Sequence, residues 1–511
     1  MESPMAIAQR SKRSPGDAAG FVRGLGLFNG TMLVAGNMIG SGVFIVSADI
    51  ARQVGSPGWL LAVWVIAGVL TLIAAVSYGE LAAMYPRAGG QYIYLREAFG
   101  PMLAFLYGWA LFLVIQTGTI AAVAIAFARF SGVLWPAISP TNLVFDLGVL
   151  PLPGIGDLSL SLSTPQLVAI LATLLLTYIN LRGLYAGRII QDVFTVTKIG
   201  ALLALIGLGL LFARNPESAI HQSDFWTPRI NGEAVPPLAL ISIMGTAMVG
   251  ALFAADAWNN VGFTGSEVKN PRRNIPLSMA LGVGVVIALY LLANWVYLLA
   301  LPMHAIQHAA EDRVAVAAAK IILGDYAELL MAIAIMISTF GCMNGMILAG
   351  ARVYYSMAQD RLFFKRIGTL NQHHVPAVAL ILQGLWIIAL VMLRTYDSAT
   401  ETYSNLYSNL LDYIIFGVLI FYSLTMAGIF VLRRTRPEIE RPVRAWGYPY
   451  LTALYIVCAI SICLVLLIAE KTRLNAGLGL LVVLTGLPVY WWWSKRTHRA
   501  LLLHSTERNQ S

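Results

Sequence analysis

The chain has 511 residues, of which 58% are hydrophobic and only 12% charged, with a mean hydropathy of +0.73. A soluble chain of this length divides into several water-facing domains and carries about a quarter of its residues as charges, so that class is excluded. The formal net charge of +9 is compatible with a nucleic-acid partner, but the basic residues fall in short segments between apolar stretches, which assigns them to membrane orientation instead.

In chain order, Met1 to Arg23 is polar and basic and does not read as a cleavable signal; residues 1–26 form an N-terminal tail. A spanning helix needs roughly 20 apolar residues. Twelve candidates follow, at 27–51, 58–85, 101–131, 165–181, 192–213, 236–258, 276–301, 326–357, 376–394, 410–432, 450–469 and 475–494, with residues 495–511 as a C-terminal tail. The predicted class is therefore all-α and integral to the membrane. With twelve spans both ends of the chain lie on one side. Placing them in the cytoplasm puts 24 of the 34 lysines and arginines inside and 9 outside, Lys198 being within a span. The three cysteines, Cys342, Cys458 and Cys463, sit in apolar segments, so no disulfide scaffold is expected.

Two spans carry breaks. In the first, Gly36-Asn37-Met38-Ile39-Gly40-Ser41-Gly42 places three glycines and a serine at membrane depth, where each glycine costs a helix about 1 kcal/mol relative to alanine. Close packing through small residues is the alternative reading. In the sixth, Phe253-Ala254-Ala255-Asp256-Ala257-Trp258-Asn259-Asn260 puts an aspartate and two asparagines where polar groups are expensive. Interrupted helices at matching positions of two five-span halves mark a midplane binding site. A cut helix bares N–H groups at one fragment's start and carbonyls at the other's end, with partial charges of about half a unit. A zwitterion fits both: its carboxylate at the N–H groups of Ser41 and Gly42, its ammonium at carbonyls around Met38, Phe253 and Ala254.

Lys198 lies about 9 Å inside the fifth span as drawn. Snorkelling to the interface is one reading and a functional role the other. Asp256 reads either as an N-cap of a restarting helix or as a contact for a cationic side chain. Glu267, near Lys269, Arg272 and Arg273, reads as half of an inner ion-pair gate or as a solvated face, and Glu80 with Arg87 reads the same way. His304 and His308 have a chelating spacing but no third ligand beyond Glu311, so no metal is assigned.

The run Gly40-Ser41-Gly42-Val43-Phe44, the segments Glu80 to Pro101 and Phe253 to Pro276, and the stretch Arg441 to Pro449 resemble, in order, signatures of the amino acid–polyamine–organocation (APC) superfamily. The fit is best to the L-type amino-acid transporter (LAT) group, over about residues 25–495. The resemblance implies a LeuT-like fold: a five-plus-five inverted repeat over 27–213 and 236–432, two further helices over 433–494, and helices 1 and 6 discontinuous. It implies a permease for a neutral L-amino acid in the cytoplasmic membrane, sodium-independent, working by proton symport or exchange, with no cofactor.

Carried over by motif, Met38, Ile39, Gly40, Ser41 and Gly42 face the substrate together with Phe253, Ala254, Asp256 and Asn259. Ser41 and Gly42 bind its carboxylate, and the carbonyls of Met38, Phe253, Ala254 and Asp256 its ammonium. Asn259 supports the unwound segment and Phe253 acts as the outer gate; Glu267 stays the candidate for the inner gate from its own charge pattern. Lys198 stands where sodium-coupled relatives hold a cation, so its ammonium can bond the carbonyls freed by the first break in place of sodium. It is the candidate coupling residue, able also to carry the coupling proton. Animal members join a heavy chain through a cysteine after the third span; residues 132–164 contain none, which points to a stand-alone, prokaryotic-type protein. A sensor on the same fold and a transporter of cationic amino acids or polyamines are the alternatives. An enzyme is disfavoured, because no paired carboxylates, metal cluster or activated nucleophile lies at membrane depth. No phosphate-binding G-x-x-x-x-G-K-[ST] string occurs either.

Overall fold

A chain this apolar must satisfy its backbone within itself. The computed structural model describes residues 20–152, 156–213, 215–230, 233–397, 402–404, 406–470 and 472–510. The predicted tail over residues 1–19 lies outside them. Among the described residues, ten helical segments are long and apolar enough to cross a membrane, and two shorter apolar helices accompany them.

The first span is two helices, α1 (Leu27–Met38) and α2 (Gly42–Val54). Then come α3 (Pro57–Met84), the short α4 (Gln91–Phe99) and α5 (Pro101–Leu134), the last with a π turn at Leu111–Ile115. Next are α6 (Thr164–Leu181) and α7 (Leu184–Phe212). Helix α8 (Pro237–Ala254) stops before the polar run, and α9 (Asn260–Phe263) is one turn long. The longer helices that follow are α10 (Pro271–Ala300), α11 (Val314–Leu323), α12 (Ala327–Gln359), α13 (Ala377–Met392), α14 (Leu406–Thr435), α15 (Tyr450–Ile468) and α16 (Arg473–Gln510).

Three features differ from the sequence reading. Helix α7 begins at Leu184 rather than 192, because its first turns carry Arg188, Gln191 and Asp192, which a search for apolar residues rejects. Helix α16 runs on through the stretch assigned to the tail. Between α5 and α6 stands an antiparallel hairpin of β1 (Leu143–Leu152) and β2 (Gly156–Ser163), with Leu150 opposite Leu158. Strands β3 (Arg229–Ile230) and β4 (Glu233–Ala234) pair with each other. Strands β5 (Arg394–Asp397) and β6 (Thr402–Ser404) extend the hairpin into a sheet of order β1-β2-β5-β6. The Leu-Ser alternation from Leu158 to Ser163 was the period-two signal for it.

The interior is built where α1 packs on α10, α2 on α8, and α12 on both α5 and α7. Residues of the first break and of the α8 terminus are almost all buried, Ile39 and Val43 at 0% exposure. One end of the bundle is closed by buried carboxylates. Glu80 accepts two hydrogen bonds from Arg433, at 3.0 and 2.6 Å, and one from the Ala445 N–H at 2.7 Å, with Arg441 3.4 Å away. Its expected neighbour Arg87 is instead exposed. The pairing spans α3, α14 and the loop before α15, which no local spacing reveals. Removing a buried charge from such a set strands its partners and costs about 2–4 kcal/mol. Glu80→Ala is therefore expected to lower the detergent-solubilised melting temperature by several degrees, while Arg87→Ala leaves it unchanged; equal melting curves for the two variants would contradict the assignment.

Candidate functional site

The glycine-rich stretch does break the first span. Ile39 leaves the helix with φ −76° and ψ 85°, the Gly40 N–H turns back to the Met38 carbonyl at 2.8 Å, and α2 restarts at Gly42. Each carbonyl from residue 36 to 40 then receives a side-chain donor. Lys198 Nζ, on α7, donates to Gly36 O at 2.7 Å, Ile39 O at 2.8 Å and Ser338 O at 3.0 Å. Ser338 Oγ, on α12, lies 2.9 Å from Ile39 O and 3.0 Å from Gly40 O. One α-helical turn further on, Cys342 Sγ donates to Asn37 O at 3.0 Å. Tyr290 on α10 puts its hydroxyl 2.9 Å from Met38 O.

Lys198 is 1% exposed. With α7 beginning at Leu184, it sits about 21 Å into its helix at 1.5 Å per residue, out of reach of either interface. The snorkelling reading is set aside on that distance. An ammonium has three donors and no acceptor, and all three are used on backbone oxygens.

The second break lies against the first. Ala255 caps α8 by donating to Ala251 O at 3.0 Å, and the Asp256 N–H returns to Phe253 O at 3.1 Å. Ala257 takes φ 65°, a left-handed conformation rare for a residue with a Cβ. Tyr290 again serves here, its hydroxyl 3.0 Å from Ala254 O, so one phenol bridges the two cut ends. Gly42 must be glycine: a Cβ there would sit 2.9 Å from the Ala254 Cα and 2.6 Å from its Cβ. Ser41, Phe253 and Ala254 are buried, and Gly42 lies against Ala254, so the structure brings a residue singled out for one pole of a zwitterion against a residue singled out for the other.

The remaining candidates take specific partners. Asn259 Nδ2 donates to Gln91 Oε1 at 2.9 Å, and Gln91 Nε2 to Thr425 Oγ1 at 3.1 Å. The unwound segment is thus tied to α4 and α14. Asp256 is not an N-cap; Asn259 occupies that position in α9, without a side-chain cap. The Asp256 carboxylate instead accepts from Tyr422 on α14 at 2.6 Å. Glu267 pairs with neither Lys269 nor Arg272 nor Arg273. Its two oxygens receive Arg352 Nε and Nη2 of α12 at 3.0 and 2.9 Å, both side chains being 1% exposed. Arg352 also donates to the Leu348 carbonyl. Just below the second break, Tyr107, Gln116, Thr119, Asp256, Asn260 and Tyr422 line a cavity of about 20 Å³, room for about one water molecule.

Sequence reasoning missed Tyr290, Ser338, Cys342, Arg352 and Tyr422. The cluster Ser338-Thr339, Gly341-Cys342 and Asn344-Gly345 inside an otherwise apolar span was a usable signal, because small and polar residues collect where helices meet other backbone. A tyrosine in an apolar helix gives no such notice.

Residues 25–488 match the family model described as amino acid permease. The large neutral amino acids transporter small subunit 2 of Rattus norvegicus is 28% identical over 94% of this chain and 82% of its own length. The b(0,+)-type amino acid transporter 1 of Homo sapiens is 27% identical over 94% and 91%, and the Asc-type amino acid transporter 1 of Homo sapiens is 27% identical over 91% and 81%. A match that runs through both breaks and nearly every span leaves one conclusion: the chain belongs to the amino acid permease family.

Proposed function

We infer that this permease carries a neutral L-amino acid across the plasma membrane by alternating access, without sodium, with both termini in the cytoplasm. One observation supports the reading above the others: the cut ends of α1–α2 and of α8 lie against each other, with Gly42 at the Ala254 backbone. The N–H groups of Ser41 and Gly42 meet the substrate carboxylate. The carbonyls of Met38, Phe253, Ala254 and Asp256 meet its ammonium, each oxygen having a second lone pair beyond any donor it already serves. Ile39 and Gly40 form the turn between these poles, and Phe253 closes the site from outside.

Sodium independence rests on Lys198. Its ammonium holds Gly36 O and Ile39 O, carbonyls that a bound cation would otherwise have to coordinate. Glu267 and Arg352 form the inner gate in this reading, and the protein acts without a disulfide-linked heavy chain. The relatives named for large neutral amino acids favour a neutral substrate over a cationic one.

A thermal-shift screen of the twenty amino acids identifies the binder by mass action, about 2.7 kcal/mol at a hundred times Kd. Counterflow of that amino acid in proteoliposomes then separates a carrier from a sensor. Counterflow that is equal in sodium and in choline buffers is expected, and lost by more than about tenfold in Lys198→Met, which leaves Gly36 O and Ile39 O without a charged donor. Binding without counterflow would establish a sensor, and sodium-dependent counterflow would refute the role given to Lys198.

The gate has its own test. Arg352→Ala leaves the Glu267 carboxylate buried and alone, a loss of about 3–5 kcal/mol. The double variant with Glu267→Ala is expected to recover part of that loss as a higher melting temperature, a coupling that two independent sites would not show.

A further inference from the structure

Among the described residues three carboxylates are buried below a tenth exposure: Glu80 and Glu267 at 1% and Asp256 at 8%. The first two are held by arginines, Arg433 with Arg441 and Arg352. Asp256 has no such partner. Its hydrogen bonds come from the Tyr422 hydroxyl at 2.6 Å and the Ala257 backbone N–H. Among the described residues the ionisable groups around it are phenols: Tyr107 from α5, Tyr422 from α14 and Tyr455 from α15, with Tyr78 of α3 edge-on to the Tyr422 ring. All are neutral near pH 7.

An ionised carboxylate removed from water without a counter-charge is strongly disfavoured, and it neutralises when a cation can reach it. A route is present. Asp256 borders the water-sized cavity, and two other buried polar atoms in the residues that line it, Tyr107 Oη and Asn260 Nδ2, have no hydrogen-bond partner in the protein. A space of about 20 Å³ suits water and a proton, not a guanidinium or a butylammonium chain. Lys198 is poorly placed for proton exchange, because each of its three donors is committed to a backbone oxygen.

We propose that Asp256 is the proton-coupling site of this permease. While the break in the sixth span is open to one side, a proton from the water there adds to the carboxylate and makes it a neutral acid, the form that suits the closed, water-sized cavity. When the break opens to the opposite side, the proton returns to water and the carboxylate is hydrated. No other bond changes, and one proton crosses with each substrate. The proposal rests on the transport reading above and assigns its coupling to a residue next to the substrate's ammonium site, so substrate and proton bind to one mobile segment.

The experiment uses the full chain in proteoliposomes loaded with a pH-sensitive dye, with the amino acid found by thermal shift. In the wild type, adding substrate outside is expected to acidify the lumen, and uptake measured between about pH 8 and pH 6 is expected to rise as the pH falls, along the curve of one titrating group. In Asp256→Asn the residual uptake should vary less than about twofold over that range without lumen acidification, and Asp256→Glu should restore both. Tyr422→Phe keeps the carboxylate and removes its hydroxyl donor; it should displace the midpoint by about one pH unit, which provides a readout if Asp256→Asn does not fold. A wild-type pH profile in Asp256→Asn, or substrate uptake without lumen acidification in the wild type, overturns the proposal and leaves the transport reading intact. Arginine counterflow abolished by Asp256→Asn while a neutral substrate still moves would make Asp256 a side-chain subsite and likewise overturn it. Absence of counterflow by any amino acid at any pH would sink the transport reading itself.

Discussion

The architecture depends on how five carbonyls are satisfied in the middle of a low-dielectric bundle. Interrupting a helix at membrane depth strands peptide oxygens that cost several kcal/mol each without a donor. From Gly36 to Gly40 the donors come from three helices, with the Lys198 ammonium covering two of the oxygens and Ser338, Cys342 and Tyr290 the rest. A charged donor bonds a carbonyl about twice as strongly as a neutral one. The same bonds are what make a lysine tolerable there, since its charge needs three acceptors as much as the carbonyls need donors. Neither the break nor the buried lysine would be stable without the other.

This mutual dependence divides the labour between the two cut spans. The first break is fastened to α7 and α12. The second is fastened elsewhere, through Asp256 to Tyr422 on α14 and through Asn259 to Gln91 and then Thr425. The Tyr290 hydroxyl touches both, at Met38 O and Ala254 O. A hydroxyl has a single proton to donate, so it can favour only one of those oxygens at a time. The position where a ligand ammonium would arrive is thus already one where a donor chooses between two acceptors, and a positively charged ligand able to serve both relieves that competition.

Most of the fold was legible because a spanning helix advertises itself in composition, and the ends drawn from the sequence agree closely with α3, α5, α6, α12 and α15. The exceptions share a cause. The start of α7 is helical but polar, and the β1–β2 hairpin is regular but lies between spans; a search for long apolar runs registers neither. The break at Gly36–Gly42 was legible because glycine acts through the backbone, which local sequence controls. Pairings were not. Glu80 finds Arg433 353 positions away, and Glu267 finds Arg352 85 positions away, so the nearby arginines suggested by sequence were the wrong ones. Lys198 was legible as an anomaly, and its acceptors followed only because the same stretch had already been identified as broken.

The ion pairs at one end of the bundle suit a surface that opens and closes. A buried pair such as Glu267–Arg352 recovers in mutual attraction roughly what each ion loses in hydration, so its net contribution is small. When water enters, hydration is returned as the attraction is lost, and the difference between closed and open states stays within a few kcal/mol, the range that ligand binding can reverse. An apolar contact of the same area would hold the closed state far more firmly, since exposing it recovers nothing. The bundle keeps its apolar packing along the helix lengths, where Val34, Ile335 and Val286 are fully buried, and holds its buried arginine–carboxylate pairs at one end, where in the gating reading such a small difference lets the surface separate reversibly.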